Sequence, residues 1–129
     1  MIAWRVGSGG RYEDVVGYCR VVRAGELVWV SGTTGTRDGV LVEGGAVEQM
    51  RQALTNVVAA LDSAGSSVAD VVRTRVYVTD ISTWEEVGRV HAEFFGRHRP
   101  ATTMVEVSRL VDPAMLVEVE ADAFVGFGR

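Results

Sequence analysis

Between Val117 and Ala123 the chain reads Val-Glu-Val-Glu-Ala-Asp-Ala, an unbroken alternation of apolar and acidic residues. In an extended strand successive side chains point to opposite faces. Val117, Val119, Ala121 and Ala123 therefore share one face, while Glu118, Glu120 and Asp122 share the other. Three carboxylates within about 14 Å of strand repel one another unless they are solvated or paired. Two readings are open: a solvent-facing sheet surface, or an acid drawn into a pocket or subunit interface where its pKa is tuned for proton transfer.

Other chemistry-bearing residues are few. Lone Cys19 has no internal disulfide partner, and there is no CxxC or Cys/His ligand cluster. His91 and His98 fall on one face of an expected helix without forming a metal site, so no metal is expected. All thirteen basic residues are arginine. The absence of lysine excludes a lysine Schiff base, a P-loop lysine and pyridoxal-phosphate attachment. A net charge of −4 lacks the basic footprint of a general nucleic-acid binder, and no nucleic-acid partner is expected.

The elements that must position these residues fit one domain spanning residues 1–129, long enough for a sizeable core. A hydrophobic content of 47% with 23% charged residues is that of an ordinary globular protein. No run approaches the roughly 20 apolar residues that span a bilayer. The N-terminus lacks the basic and apolar regions of a signal peptide, so a cytoplasmic protein without membrane partners is expected.

Residues 2–6 read as a short strand. Tyr18 to Val22 and Glu26 to Ser31 read as two strands joined by a tight hairpin at Arg23-Ala24-Gly25. Gly32 to Gly45 reads as a loop with a short strand at Val40-Leu41-Val42. Ala46 to Ala64 is the clearest helix, with Val47, Met50, Leu54, Val57, Val58 and Leu61 at helical spacing and Gly65 as its stop. Val72 to Val78 alternates as a strand. Ser82-Thr83-Trp84-Glu85 has the capping-box pattern and opens a second amphipathic helix that turns Val87, Val90, Phe94 and Phe95 inward. Pro100 ends it, and Thr102 to Val107 and Leu116 to Val125 supply the last strands. The order β-β-β-α-β-α-β-β predicts an α+β layer with two helices on one sheet face. The opposite face stays partly apolar, which favours burial against another subunit.

Several segments together resemble the RidA/YjgF family of small trimeric proteins. They are Gly17-Tyr18, Leu27 to Gly32, Gln49 with Leu54 and Asn56-Val57, Asp70 to Thr74 with Val76 to Asp80, Phe94-Phe95, Pro100-Ala101, Val105 to Val107, Arg109-Leu110 and Val117 to Ala121. The resemblance runs from about Gly17 to Ala123. It implies a chorismate-mutase-like α+β fold with a six-stranded mixed sheet, a homotrimer with ligand pockets between subunits, and a small-molecule substrate. Well-studied members of this family hydrolyse reactive enamines and imines without a metal or organic cofactor. By the same resemblance Glu118 corresponds to the glutamate that orients water, Tyr18 to the hydroxyl lining the pocket, and Ser31 to the strand-end serine.

The chain departs from the family at the substrate clamp. Deaminating members carry an arginine directly after Pro-Ala that grips the substrate carboxylate, and here that residue is Thr102. Losing a buried charge-assisted pair costs on the order of 2–5 kcal/mol, roughly thirty- to several-thousand-fold in binding. Met104 stands where a small residue or cysteine is common, Gly88 where asparagine is usual, and Gly17 where proline is common. The expected substrate-binding residues are thus Tyr18, Ser31, Thr102 and Met104, and the expected substrate is an uncharged, bulkier imine or carbonyl compound. A binding module without catalysis and a tailoring enzyme for one specialised intermediate are the alternatives. Endoribonuclease activity is disfavoured by the acidic balance.

Overall fold

The computed structural model describes residues 1–128. A six-stranded mixed sheet runs β1 (Ala3–Val6), β2 (Val21–Ala24), β3 (Leu27–Thr33), β8 (Val117–Phe124), β6 (Val71–Val78), β7 (Ala101–Glu106). Only β6 and β7 are parallel, as their crossover helix requires. That helix is α3 (Trp84–Phe95), and it packs beside α2 (Ala46–Ser63) on one face of the sheet. No described helix is long and apolar enough to cross a membrane.

The core lies between this helix layer and the sheet. Met50, Leu54, Val57 and Leu61 of α2 and Val87, Val90 and Phe95 of α3 are buried there. They meet Val28 and Val30 of β3, Val76 and Val78 of β6, and the apolar register of β8. Val117, Val119, Ala121 and Ala123 are all buried, so the period-two reading of β8 holds, and Glu118, Glu120 and Asp122 lie together on the opposite face. On that open face Arg75 pairs with Glu120 at 3.6 Å and Asp122 at 3.2 Å, and Tyr77 Oη donates to Glu120 Oε1 at 2.8 Å. Leu27, Trp29, Val105 and Phe124 flank the charges and stay exposed.

Four local expectations are corrected. First, Arg11–Val16 forms a short helix, α1, where no element was expected. Gly17 closes it at φ 88°, and both Gly17 and Tyr18 donate their N–H groups to Glu13 O. Proline cannot adopt that angle, which accounts for glycine at this position. Second, β2 begins at Val21 rather than Tyr18, because Tyr18 is tied back to the helix. Third, the β2–β3 turn is Gly25-Glu26, with Ala24 paired to Leu27. Arg23 stays in the strand because its guanidinium is buried, donating to Gly25 O and Ala64 O at 2.9 Å each. Fourth, the glycine-rich loop holds a small hairpin, β4 (Thr36–Arg37) and β5 (Val40–Leu41), turned by Asp38 and Gly39 at φ 54° and 78°. Positive φ at both turn residues matches the right-handed strand twist. The cap before α3 also moves: Asp80 accepts from the N–H and hydroxyl of Ser82.

Candidate functional site

The central strand β8 delivers Glu118 opposite Tyr77 of β6. On its other side β3 carries a bulge: three residues of β3 span from Val30 to Thr33 while β8 advances only from Ala121 to Val119. An extra residue on one strand bends it and re-aims its neighbours. Gly32 lies in this bulge, and its missing side chain leaves the space that the Glu118 carboxyl occupies. The acid therefore lies across a bare stretch of backbone at the floor of a cleft of about 1190 Å3.

Tyr18 and Ser31 line the same cleft. Ser31 directs its hydroxyl to Cys19 O at 2.7 Å, so it closes the β2–β3 junction. Arg20 also lines the cleft, and it engages five groups at once, Ser31 O at 3.4 Å among them. Its Nη1 donates to Gly32 O and to Thr33 Oγ1 at 3.1 Å, while Nη2 donates to Tyr18 Oη at 3.3 Å and lies 3.8 Å from Glu13 Oε2. With its oxygen lone pair used by Arg20, the Tyr18 hydroxyl keeps its proton free to donate.

Glu13 ties down the cleft wall. Its buried carboxylate accepts from the N–H and hydroxyl of Ser8 and from Gly10 N–H, which folds the Gly7–Gly10 segment back over α1. Burial alone would raise its pKa; the Ser8 and Gly10 bonds and the charge of Arg20 hold it below the usual carboxylate value. On the far wall Asn56 donates to Thr34 O and Thr36 O at 3.1 and 2.8 Å, fixing the chain that leads into β4. Neither Arg20 nor Asn56 was expected as a principal site residue from sequence. The proximity of Arg20 to Tyr18 in the chain was the available signal.

Burial pushes the Glu118 carboxyl above its ordinary pKa, Arg20 opposes that, and Glu120 adds to it. A carboxyl so shifted can both hold and release a proton near neutrality better than a solvated one. The shift has a sign for stability. Between the unfolded and the raised folded pKa the native state binds more protons, so this group lowers stability as pH rises through that window. Glu118→Gln is accordingly expected to raise the urea midpoint at neutral pH, with the gain vanishing below the ordinary carboxylate range. Equilibrium unfolding at the two pH values checks it.

Thr102 and Met104 are not brought to this cleft within one chain. Thr74 pairs with Thr102 and Val76 with Met104 across β6 and β7, and Thr74 and Val76 face the helices. Strand parity sends Thr102 and Met104 the same way. Thr102 Oγ1 accepts from Thr74 Oγ1 at 2.6 Å, and Thr74 Oγ1 is 2.8 Å from His91 Nε2. His91 stacks on Phe95 at 4.7 Å, and burial lowers its pKa. Met104 packs against the core. Of the other arginines, Arg75 is engaged on the open face and Arg109 does not line the cleft. Among the described residues no group of three or more His, Cys, Asp or Glu side chains is placed to hold a metal ion.

A mixed sheet with two helices on one face and a half-buried acid in a cleft defines a small α+β domain with one candidate acid–base site. The chain belongs to the family described as Endoribonuclease L-PSP, whose profile matches residues 10–125. A crystal structure of a YjgF/YER057c/UK114 family member from Mycobacterium tuberculosis superposes with a TM-score of 0.88 at 53% identity, covering 96% of this chain and 100% of that one. An uncharacterized protein of Streptomyces coelicolor is 38% identical over 95% of this chain and 92% of its own length. The human 2-iminobutanoate/2-iminopropanoate deaminase is 31% identical over 95% of this chain and 90% of its own. The expected family and its six-stranded α+β fold are thereby established.

Proposed function

We propose that the protein hydrolyses reactive imines or enamines, with Glu118 as the acid–base group. The observation that carries this reading is the half-buried Glu118 carboxyl, raised in pKa and lining the same cleft as Tyr18. Similarity to a protein named as a 2-imino acid deaminase supports it. The chemistry is modest. The Glu118 carboxylate takes a proton from water as its oxygen attacks the iminium carbon, giving a carbinolamine. Return of that proton to nitrogen lets the C–N bond break while the Glu118 carboxylate takes up the hydroxyl proton. Its transfer to the departing ammonia leaves a carbonyl product, ammonium and the carboxylate regenerated. In this reading the Tyr18 hydroxyl donates to the substrate.

The substrate is proposed to lack a free carboxylate. Thr102 brings no charge, and the Arg20 guanidinium is engaged by Gly32, Thr33, Tyr18 and Glu13. The working unit is proposed to be a homotrimer in which neighbouring chains cover the open face and its exposed Leu27, Trp29, Val105 and Phe124.

The test is imine hydrolysis across a panel of charged and neutral imines, native protein against Glu118→Ala, with the mass in solution measured alongside. A loss of about 10²–10⁴-fold in Glu118→Ala is expected. Absence of acceleration by the native protein would favour a ligand-binding module instead. A strong preference for 2-iminopropanoate would overturn the neutral-substrate assignment, and a monomeric mass the trimer.

A further inference from the structure

We propose that Arg20 is the positioning residue of this site, one guanidinium that locks the β3 bulge, the Tyr18 hydroxyl and the Glu13-bound wall into a single geometry around Glu118. The inference rests on the reading of Glu118 as the acid–base group. No other described side chain joins these parts. Through Nη1 it holds Gly32 O, in the bulge beneath the Glu118 carboxyl, and Thr33 Oγ1, where β3 returns to register opposite Val119. Through Nη2 it reaches Tyr18 and Glu13, so the N-terminal wall and the proton donor are set by the same planar group. Its guanidinium also lies over the Tyr18 ring, 5.5 Å from the centroid, fixing the ring as well as its hydroxyl.

The arrangement has an electrostatic purpose. Arg20 is only 15% exposed, and its nearest counter-ion is Glu13, not Glu118. Glu118 therefore feels an attractive charge without being locked in an ion pair, and it stays free to exchange protons. Tyr18 shares its cleft, Glu120 lies on its own strand and Tyr77 on β6, and Arg11 and Arg37 line the cleft together with Arg20. Of these cations Arg20 is the one whose charge pulls the Glu118 carboxyl toward the carboxylate form needed to activate water. A lysine would keep the charge but not the planar fork that spans several acceptors.

The experiment compares native protein, Arg20→Gln and Arg20→Lys by carbon-13 NMR titration of the Glu118 carboxyl and by the pH profile of imine hydrolysis. In Arg20→Gln the Glu118 titration is expected to move upward, and the acid limb of kcat/KM to move upward with it. In Arg20→Lys the titration is expected to stay near the native one while kcat falls about 10- to 100-fold, as for a misplaced catalytic geometry. An unmoved Glu118 titration in folded Arg20→Gln overturns the proposal, as does full activity in Arg20→Lys. Should Arg20→Gln fail to fold, the kcat of Arg20→Lys decides alone. If the native protein hydrolyses no imine, the imine reading fails, and the NMR titration still decides whether Arg20 sets the protonation of Glu118.

Discussion

Gly32→Ala is expected to lower imine hydrolysis by about a hundredfold or more while leaving the fold nearly as stable as before. Gly32 does not adopt positive φ, so alanine meets no backbone penalty there. The nearest atoms its Cβ would meet are the carboxyl and γ-carbon of Glu118. A flexible carboxylate can swing away at little conformational cost, but not while holding its place in the cleft. Displacement of a catalytic group by about 1 Å costs on the order of 10²-fold in rate. The pairing of outcomes matters: a large loss of kcat with an unchanged urea midpoint assigns the glycine to the site. An equal loss of stability would show that the bulge itself had collapsed.

The second large effect falls on stability. Gln49 is 4% exposed, on the first turn of α2, and its amide serves the segment before β8 from both ends. Nε2 donates to Ala114 O at 3.0 Å and Oε1 accepts from Leu116 N–H at 2.8 Å. Read from sequence, Gln49 resembles a helix-surface or interface group; in the fold it is an internal clamp. Gln49→Ala leaves a donor and an acceptor unpaired at about 1–3 kcal/mol each, so a loss of about 2–6 kcal/mol is expected from denaturant unfolding. Val111, Asp112 and Met115 border the cleft from this segment, and KM should rise with the loss of order. A midpoint within error of the native one would show that water replaces the amide without cost.

What the chain discloses about itself follows a physical division. The long helix, the start of the second helix and the strands β6, β7 and β8 were legible to within about two residues, because hydrophobic periodicity is a local property. The second helix stops at Phe95, well before the Pro100 read as its end. Helix α1 was not, since six residues show too little periodicity; its signal was the Glu13 that folds back on Gly10 and the Gly17 that ends it. The β4–β5 hairpin was signalled by Asp38-Gly39, a turn pair hidden within a glycine-rich run.

The site divides the same way. Alternation picks out Glu118, Glu120 and Asp122 as a set, but cannot rank them. Glu120 lines the cleft as well. What separates the two acids is that bare Gly32, far away in sequence, receives the Glu118 carboxyl, while Arg75 and Tyr77 engage Glu120 and Arg75 also engages Asp122. Thr102 and Met104 were singled out by alignment to a family position. The face they occupy depends on register with β6, which no local pattern encodes.

The position of β8 has a consequence for how the molecule comes into being. This strand is the last of the eight made, yet it is the seam joining β1–β2–β3 to β6–β7. A nascent chain still lacking it holds two sheet fragments with no ladder between them, each with an open edge. The long-range pairing that joins them waits for the final strand, the kind of contact that folds slowly. Because Glu118 rides on that strand, the acid reaches its place in the same event that completes the sheet. A half-made chain therefore does not yet hold this carboxyl beside Gly32.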